Sequence, residues 1–306
     1  MTRSRHARGV ALLSALLVVA LATVLVAGIL DDGNSGLART RNLARSEQAD
    51  ALAAGLEEWA LQVLLRDLAN DGRRDFRDDS WAAGVPPTEV PGGRLVGRMT
   101  DLGGRYNLNN LVKDGARDPV QLERYARLLR ALKLDPALAE STLDYLDPDG
   151  EREPNGAEDP HYLVQDPPRR AANRTMAHAS ELKLVRGVTR DVWAALAPHV
   201  VAVPAGTAIN VNTATAPVLM AIVDGLSDGA ARRIAEGAHY SDLAGFQSEI
   251  EQLGLAPFPP LGVDVASDYF IARADIALDG IPIGYSSVIE RRDGRLRVIG
   301  RARGTL

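Results

Sequence analysis

Val10-Ala-Leu-Leu-Ser-Ala-Leu-Leu-Val-Val-Ala-Leu-Ala-Thr-Val-Leu-Val-Ala-Gly-Ile-Leu30 runs without a single charge. As a helix rising about 1.5 Å per residue it is roughly 30 Å long, the thickness of one bilayer core. Arg3, Arg5 and Arg8 stand before it, and Asp31 and Asp32 behind it. Basic residues on the amino side set that end in the cytoplasm and the rest of the chain outside. Three readings compete. A secretory signal peptide has a shorter apolar core and then a small-x-small cleavage site, which Ala22 to Gly28 mimics. A signal anchor keeps the helix as a plain membrane span. A prepilin-type leader is cut before the apolar run, after a glycine that follows basic residues. Arg8-Gly9-Val10-Ala11-Leu12-Leu13 has that form, and cleavage between Gly9 and Val10 keeps the whole helix. The segment by itself does not separate the last two readings; the remainder of the chain does.

The 306 residues hold one large domain or two small ones. A net charge of -5 gives no global basic field for nucleic acid. With no cysteine, a disulfide framework, a thiolate metal site, a lipidated cysteine and a cysteine nucleophile are all excluded. An extra staple in an exported domain must then be something else, such as a metal ion. Aromatic residues make up 5%, too few for an extensive base-stacking platform.

Asp31 to Gly36 is expected to loosen the helix, since Gly33 and Gly36 both weaken it. Helical composition then resumes from Leu37 to Leu68. Leu52, Leu56, Trp59 and Val63 recur at helical spacing, with Leu64 and Leu65 beside them, and Asn70-Asp71-Gly72 ends the run. A loop with Pro86-Pro87 and Pro91-Gly92-Gly93 precedes a strand over Arg94 to Asp101. Residues 118–203 read as several helices. Ser180 and Thr189 look like helix caps. Residues 208–254 form a third helical unit. The period then changes from 3.6 to two: Tyr269–Leu278, Ile281–Arg291 and Arg295–Arg301 alternate, with Asp279-Gly280 and Asp293-Gly294 at the corners. This predicts an antiparallel meander that residues 94–101 join as a fourth strand. The fold class is α+β: a pilin-like long amino-terminal helix packed on an antiparallel sheet, interrupted by a large all-helical insertion. The expected division is 1–9 leader, 10–30 membrane helix, 31–106 amphipathic helix and first strand, 107–262 helical insertion, and 263–306 closing strands.

The leader and this order of parts resemble the K-type minor pseudopilins of bacterial type II secretion systems, the GspK family, over essentially the whole chain. The most specific pieces are Arg8-Gly9-Val10-Ala11-Leu12-Leu13, Gly156-Ala157-Glu158-Asp159, Ala172-Asn173-Arg174, Ser180-Glu181-Leu182 and Asn210-Val211-Asn212-Thr213-Ala214. Most pilins and pseudopilins carry a glutamate at the fifth mature residue, which neutralises the amino terminus of the subunit above. Here that position is Ser14. K-type pseudopilins are similar in lacking the acid and are placed at the filament tip, with nothing above them. An unpaired carboxylate inside a bilayer costs several kcal/mol, so its absence fits that position. Val10 departs from the pattern, since a bulkier residue is commoner there. The resemblance implies export of folded proteins across the outer membrane, not catalysis. It implies partners of the I and J types, the pseudopilus, and a prepilin peptidase that cuts the leader and methylates the new amine. It also implies a single pass through the bacterial inner membrane with the carboxy-terminal domain in the periplasm.

Asp144 to Asp166 holds eight acids against one base, Arg152, on a stretch stiffened by prolines. A solvated acidic loop is the blander reading. Crowded oxygens on a stiff loop also suit a hard cation, calcium above all. With Asp147 first, Asp149 falls third, Glu151 fifth and Glu158 twelfth, as in an EF-hand. The sixth place is Arg152 instead of glycine and the flanks look wrong, so an EF-hand is rejected and the ion kept. K-type pseudopilins bind calcium in the region this loop resembles. That resemblance singles out Glu158 and Asp159, then Asp147 and Asp149, then Glu151 and Asp166, in a structural role.

Residues 208–254 also look like a helix-hairpin-helix unit, so a membrane-anchored periplasmic DNA-binding protein is the alternative. Asp224 and Asp228 flank the hairpin with only Arg232 and Arg233 as bases, which disfavours phosphate contact, and no nucleic acid is expected as a partner. The five histidines lack metal spacing, and no nucleophile elbow or phosphate loop occurs.

Overall fold

The computed structural model describes residues 4–304, and among these the side chains of all but residues 4–11 and 71. Residues 1–3 of the expected leader lie outside the described residues, as do the side chains of Gly9 and Val10 at the expected cleavage site. Helix α1 spans Ser4–Asp71, 68 residues and about 100 Å in one piece. The loosening expected at Asp31–Gly36 is absent. Gly33 and Gly36 sit in helical backbone with open space around them. Each glycine costs about 1 kcal/mol against alanine, but a helix already nucleated on both sides gains a hydrogen bond for every residue it adds. Gly72, with φ 69°, takes the left-handed conformation that ends the helix.

Residues 12–44 of α1 are exposed, and the helix is long and apolar enough to cross a membrane. Further on, Ala49, Leu56, Ala60 and Leu64 form its buried stripe. Leu52, Trp59 and Val63 flank the stripe half-buried, whereas Leu65 faces outward. The small alanines lie at the centre because they let the helix approach the sheet closely.

That sheet has five antiparallel strands in chain order: β1 (Val85–Val90), β2 (Gly93–Asp101), β3 (Tyr269–Leu278), β4 (Ile281–Arg292) and β5 (Arg295–Arg303). The last three strands and the joining strand fall where alternation puts them. Asp279-Gly280 and Asp293-Gly294 all have positive φ, as their two-residue turns require. β1 is the strand the sequence reading misses. Its Pro86-Pro87 reads as loop because proline has no donor for a ladder. At a sheet edge that donor is not needed, and the pairing with β2 is irregular between Val85 and Thr88. Phe270, Ala272, Ala274 and Ile276 of β3 face α1 together with Met99 and Ile289.

β2 and β3 are hydrogen-bonded from Gly93–Leu278 to Asp101–Phe270. Everything between them therefore leaves and returns at one end of the sheet. It holds seven labelled helices: α2 (Pro119–Ala131), α3 (Leu138–Leu146), α4 (Asp159–Leu163), α5 (Arg190–Leu196), α6 (Ala216–Ile222), α7 (Asp228–Gly237) and α8 (Leu243–Gln252). These share a core of their own, with Tyr106 stacked on Tyr125 beside Leu128, Leu143, Leu219 and Phe246. Thr189 caps α5 as expected, accepting from the Val192 amide at 3.3 Å. Ser180 does not cap a helix. It lies inside a 3-10 turn, Ala179–Leu184, whose cap is His178.

Two buried clamps fix the parts to one another. The Asp101 carboxylate accepts from the amides of Gly103 and Gly104 at 2.6 and 2.9 Å and from the Thr213 hydroxyl, tying the insertion to β2. Arg291 of β4 reaches Asp67 of α1 at 2.9 Å and also pairs with Asp75.

Candidate metal centre

α3 ends at Asp147, and α4 begins after Glu158; the acidic loop spans the gap. Within it Asp147, Asp149 and Glu158 converge, each offering a carboxylate oxygen within 4.8 Å of the others. Asp147 and Glu158 are buried and Asp149 is exposed. One oxygen of each buried acid, Asp147 Oδ1 and Glu158 Oε1, has no hydrogen-bond partner among the described residues. Burial above all, then the charges of Asp149 and Asp144, raise Asp147 to about 7. Burial, then Asp144 and Asp149, raise Glu158 to about 7. Both acids are thus poorly satisfied as anions by the protein alone.

Asp144, on the last turn of α3, is fully buried at the back of the cluster. Its carboxylate accepts from the Glu153 amide at 3.2 and 3.3 Å, and burial raises its pKa. Sequence reading counts it among the acids but gives it no role. Gly156 is the signal, because a Cβ there would collide with the Asp144 carboxylate. Asn173 closes the other side. Its Nδ2 donates to the Asp149 carbonyl at 3.4 Å, and its Oδ1 is buried without a partner.

The other three acids singled out by the sequence go elsewhere. Glu151 is exposed, with its backbone N–H donating to Asp149 Oδ1 at 2.8 Å. Asp159 accepts from the Ala171 amide at 3.0 Å and lies 3.6 Å from Arg170. Asp166 is exposed. The acids at the first, third and twelfth places of the EF-hand spacing therefore meet, and the fifth does not. Three converging carboxylates, two of them with a buried oxygen unpaired among the described residues, are a hard donor set of the kind calcium takes. A second trio, Asp67, Asp75 and Asp79, differs in that the protein supplies its own cation, Arg291.

The hairpin between α6 and α7 packs into the helical core. Val223 and Leu226 are buried in the helical core, and Arg232 pairs with Asp228 at 3.0 Å.

Two family models, both described as type II secretion system protein K, match residues 104–205 and 209–263. The type II secretion system protein K of Pseudomonas aeruginosa is 33% identical over 98% of this chain and 94% of its own length. That of Pectobacterium carotovorum is 28% identical over 99% and 98%. Among solved structures, a chain in the crystal structure of the GspK-GspI-GspJ complex from enterotoxigenic Escherichia coli matches with a TM-score of 0.76 at 26% identity. The match covers 88% of this chain and all of that one. A long apolar helix packed on a five-stranded sheet, a helical insertion between β2 and β3, and likeness in sequence over nearly the whole chain converge: the chain belongs to the type II secretion system protein K family.

Proposed function

We propose that this chain is a minor pseudopilin that caps the type II secretion pseudopilus and assembles there with subunits of the I and J types. The observation that carries the reading is the likeness, over the whole of the solved chain, to a subunit of a GspK-GspI-GspJ complex. The geometry supports it. The exposed apolar half of α1 needs either a bilayer or neighbouring helices to cover Leu16, Leu17, Val24, Leu25 and Ile29. It sits in the inner membrane first and among partner helices after assembly, with the folded part in the periplasm. The insertion, residues 107–262 on the expected division, widens the molecule at the end of the sheet and suits a terminal subunit.

Ser14 fits the same position, since a subunit with no neighbour above has no amino terminus to neutralise. Calcium at Asp147, Asp149 and Glu158 plays a structural part, joining α3 to α4 where the cysteine-free chain has no covalent staple. Mass spectrometry of the mature chain tests the assembly role. A methylated Val10 at the amino terminus is expected. A start within residues 22–36 removes the helix and with it the proposal.

A further inference from the structure

Where the insertion meets the face of the sheet turned away from α1, there is a cavity of about 710 Å³. This is within the range of ligand sites, roughly 300–1,000 Å³. Its floor is apolar: Leu102, Val201, Val203, Ile271 and Val288. Its charged lining residues are Arg105, Lys183 and Arg273, and no aspartate or glutamate lines it. In a chain with 40 acids and 35 bases, an acid-free wall with three cations runs against the overall balance.

The two arginines differ in setting: Arg273 is exposed at the cavity and Arg105 is half-buried in its wall. Arg273 of β3 stands directly across the ladder from Arg98 of β2, a like-charge pair that weakens a sheet. Arg98 turns to Asp275 at 2.9 Å. Arg273 has neither an ion pair nor a side-chain hydrogen bond among the described residues. Arg105 is half-buried and likewise without either. Burial lowers its pKa, and the charge of Arg273 lowers it further. Asp101 is the acid that acts on it, but that carboxylate is taken up by Gly103, Gly104 and Thr213. Arg105 therefore has a nearby negative charge but no carboxylate in direct contact among the described residues, and an incoming carboxylate supplies that contact. Lys183 lies over the Trp193 ring at 5.0 Å.

We propose that this cavity receives an extended acidic segment of a partner protein, its carboxylates on Arg105 and Arg273 and its apolar side chains on the floor. Guanidinium forks match carboxylates in two-point contact, and a peptide is the ligand class that brings both carboxylates and aliphatic side chains on one strand. The site is separate from the acidic loop and from the apolar helix, so it stands or falls independently of the filament assignment.

The test uses the full chain in detergent micelles and two labelled, end-capped octapeptides. One alternates glutamate with leucine; the other has glutamine for glutamate. The first is expected to bind, to weaken as salt rises from about 0.05 to 0.5 M, and to outbind the second by roughly tenfold or more. Arg105→Gln with Arg273→Gln, at an unchanged melting temperature, is expected to remove that preference. No binding of the acidic peptide, equal binding of the two, or full retention in the double variant overturns the proposal. Displacement of the acidic peptide by octanoate at equal concentration also overturns it, pointing to a small amphiphile instead of a protein segment. The salt and glutamine comparisons on the unaltered chain decide the matter even if the double variant does not fold.

Discussion

Asp147 and Glu158 close the two ends of one loop, and each buries a carboxylate oxygen with no hydrogen-bond partner among the described residues. Both have pKa values raised to about 7. The folded state therefore holds protons there that the unfolded state has released above the usual carboxylate range near 4. Stability from these groups is full below about 4 and is lost as pH rises toward 7. A bound divalent cation reverses the sign, because it takes the deprotonated form. Calcium is thus expected to raise the melting temperature little at pH 5 and by several degrees at pH 8. Calorimetry with and without chelator at the two values checks this. A calcium increment independent of pH would speak against these two acids.

Substitutions separate the convergent acids from the others. Asp147→Asn and Glu158→Gln are expected to abolish the calcium increment while raising the melting temperature in chelator at pH 8, since each removes a strained buried charge. Asp159→Asn and Asp166→Asn are expected to leave the increment intact. Asp159 is held by the Ala171 amide and Asp166 is exposed. Isothermal titration with calcium reads the same contrast directly. An effect of Asp159→Asn equal to that of Glu158→Gln would restore the ligand set drawn from the sequence alone.

That contrast marks where local pattern stops being informative. The charge-free run, the period-two alternation and the Asp-Gly corners are local signals, and α1 and β2 to β5 follow from them. The Thr189 cap is local too and accepts the Val192 amide, whereas Ser180 yields its expected place to His178. β1 escapes because its prolines are acceptable only at an edge, and edge position is a tertiary fact. Glu158 and Asp159 are adjacent in the chain, and helix α4 sends them opposite ways. Which one faces the loop depends on Ala171 and Arg170, brought back from further along. The cavity is less legible still, because Arg105, Lys183 and Arg273 come from three separate segments.

Arg291 is the tether between α1 and the sheet. It is buried, pairs with Asp67 at 2.9 Å and with Asp75, and accepts no help from solvent. Arg291→Met leaves two buried acids facing each other, with Asp67 already raised to about 6 by burial and by Asp75 and Asp79. A loss of about 3–5 kcal/mol is expected, the usual outcome of breaking a buried pair on one side. Arg292→Met, at an exposed neighbouring position 3.9 Å from Asp268, is expected to change stability by less than about 1 kcal/mol. Chemical denaturation of the full chain in detergent compares the two. Equal effects would mean that the tether carries no more than a surface charge does.

A glycine makes room for a buried side chain of α1 on the sheet. Gly97 of β2 lies under Leu56, and a Cβ there would run into Leu56 Cδ1 and the Val85 side chain. Gly97→Ala is therefore expected to destabilise by about 1–3 kcal/mol through overpacking. Leu56→Ala removes a buried side chain and is expected to cost about 2–5 kcal/mol by itself. In the double variant the new methyl enters the space that Leu56 vacated, so the two losses should sum to more than the pair shows together. A coupling of about 1 kcal/mol or more in a double-mutant cycle is the expected reading. Strict additivity would mean that Val85, on the edge strand, absorbs the methyl and that Leu56 does not compete for the space.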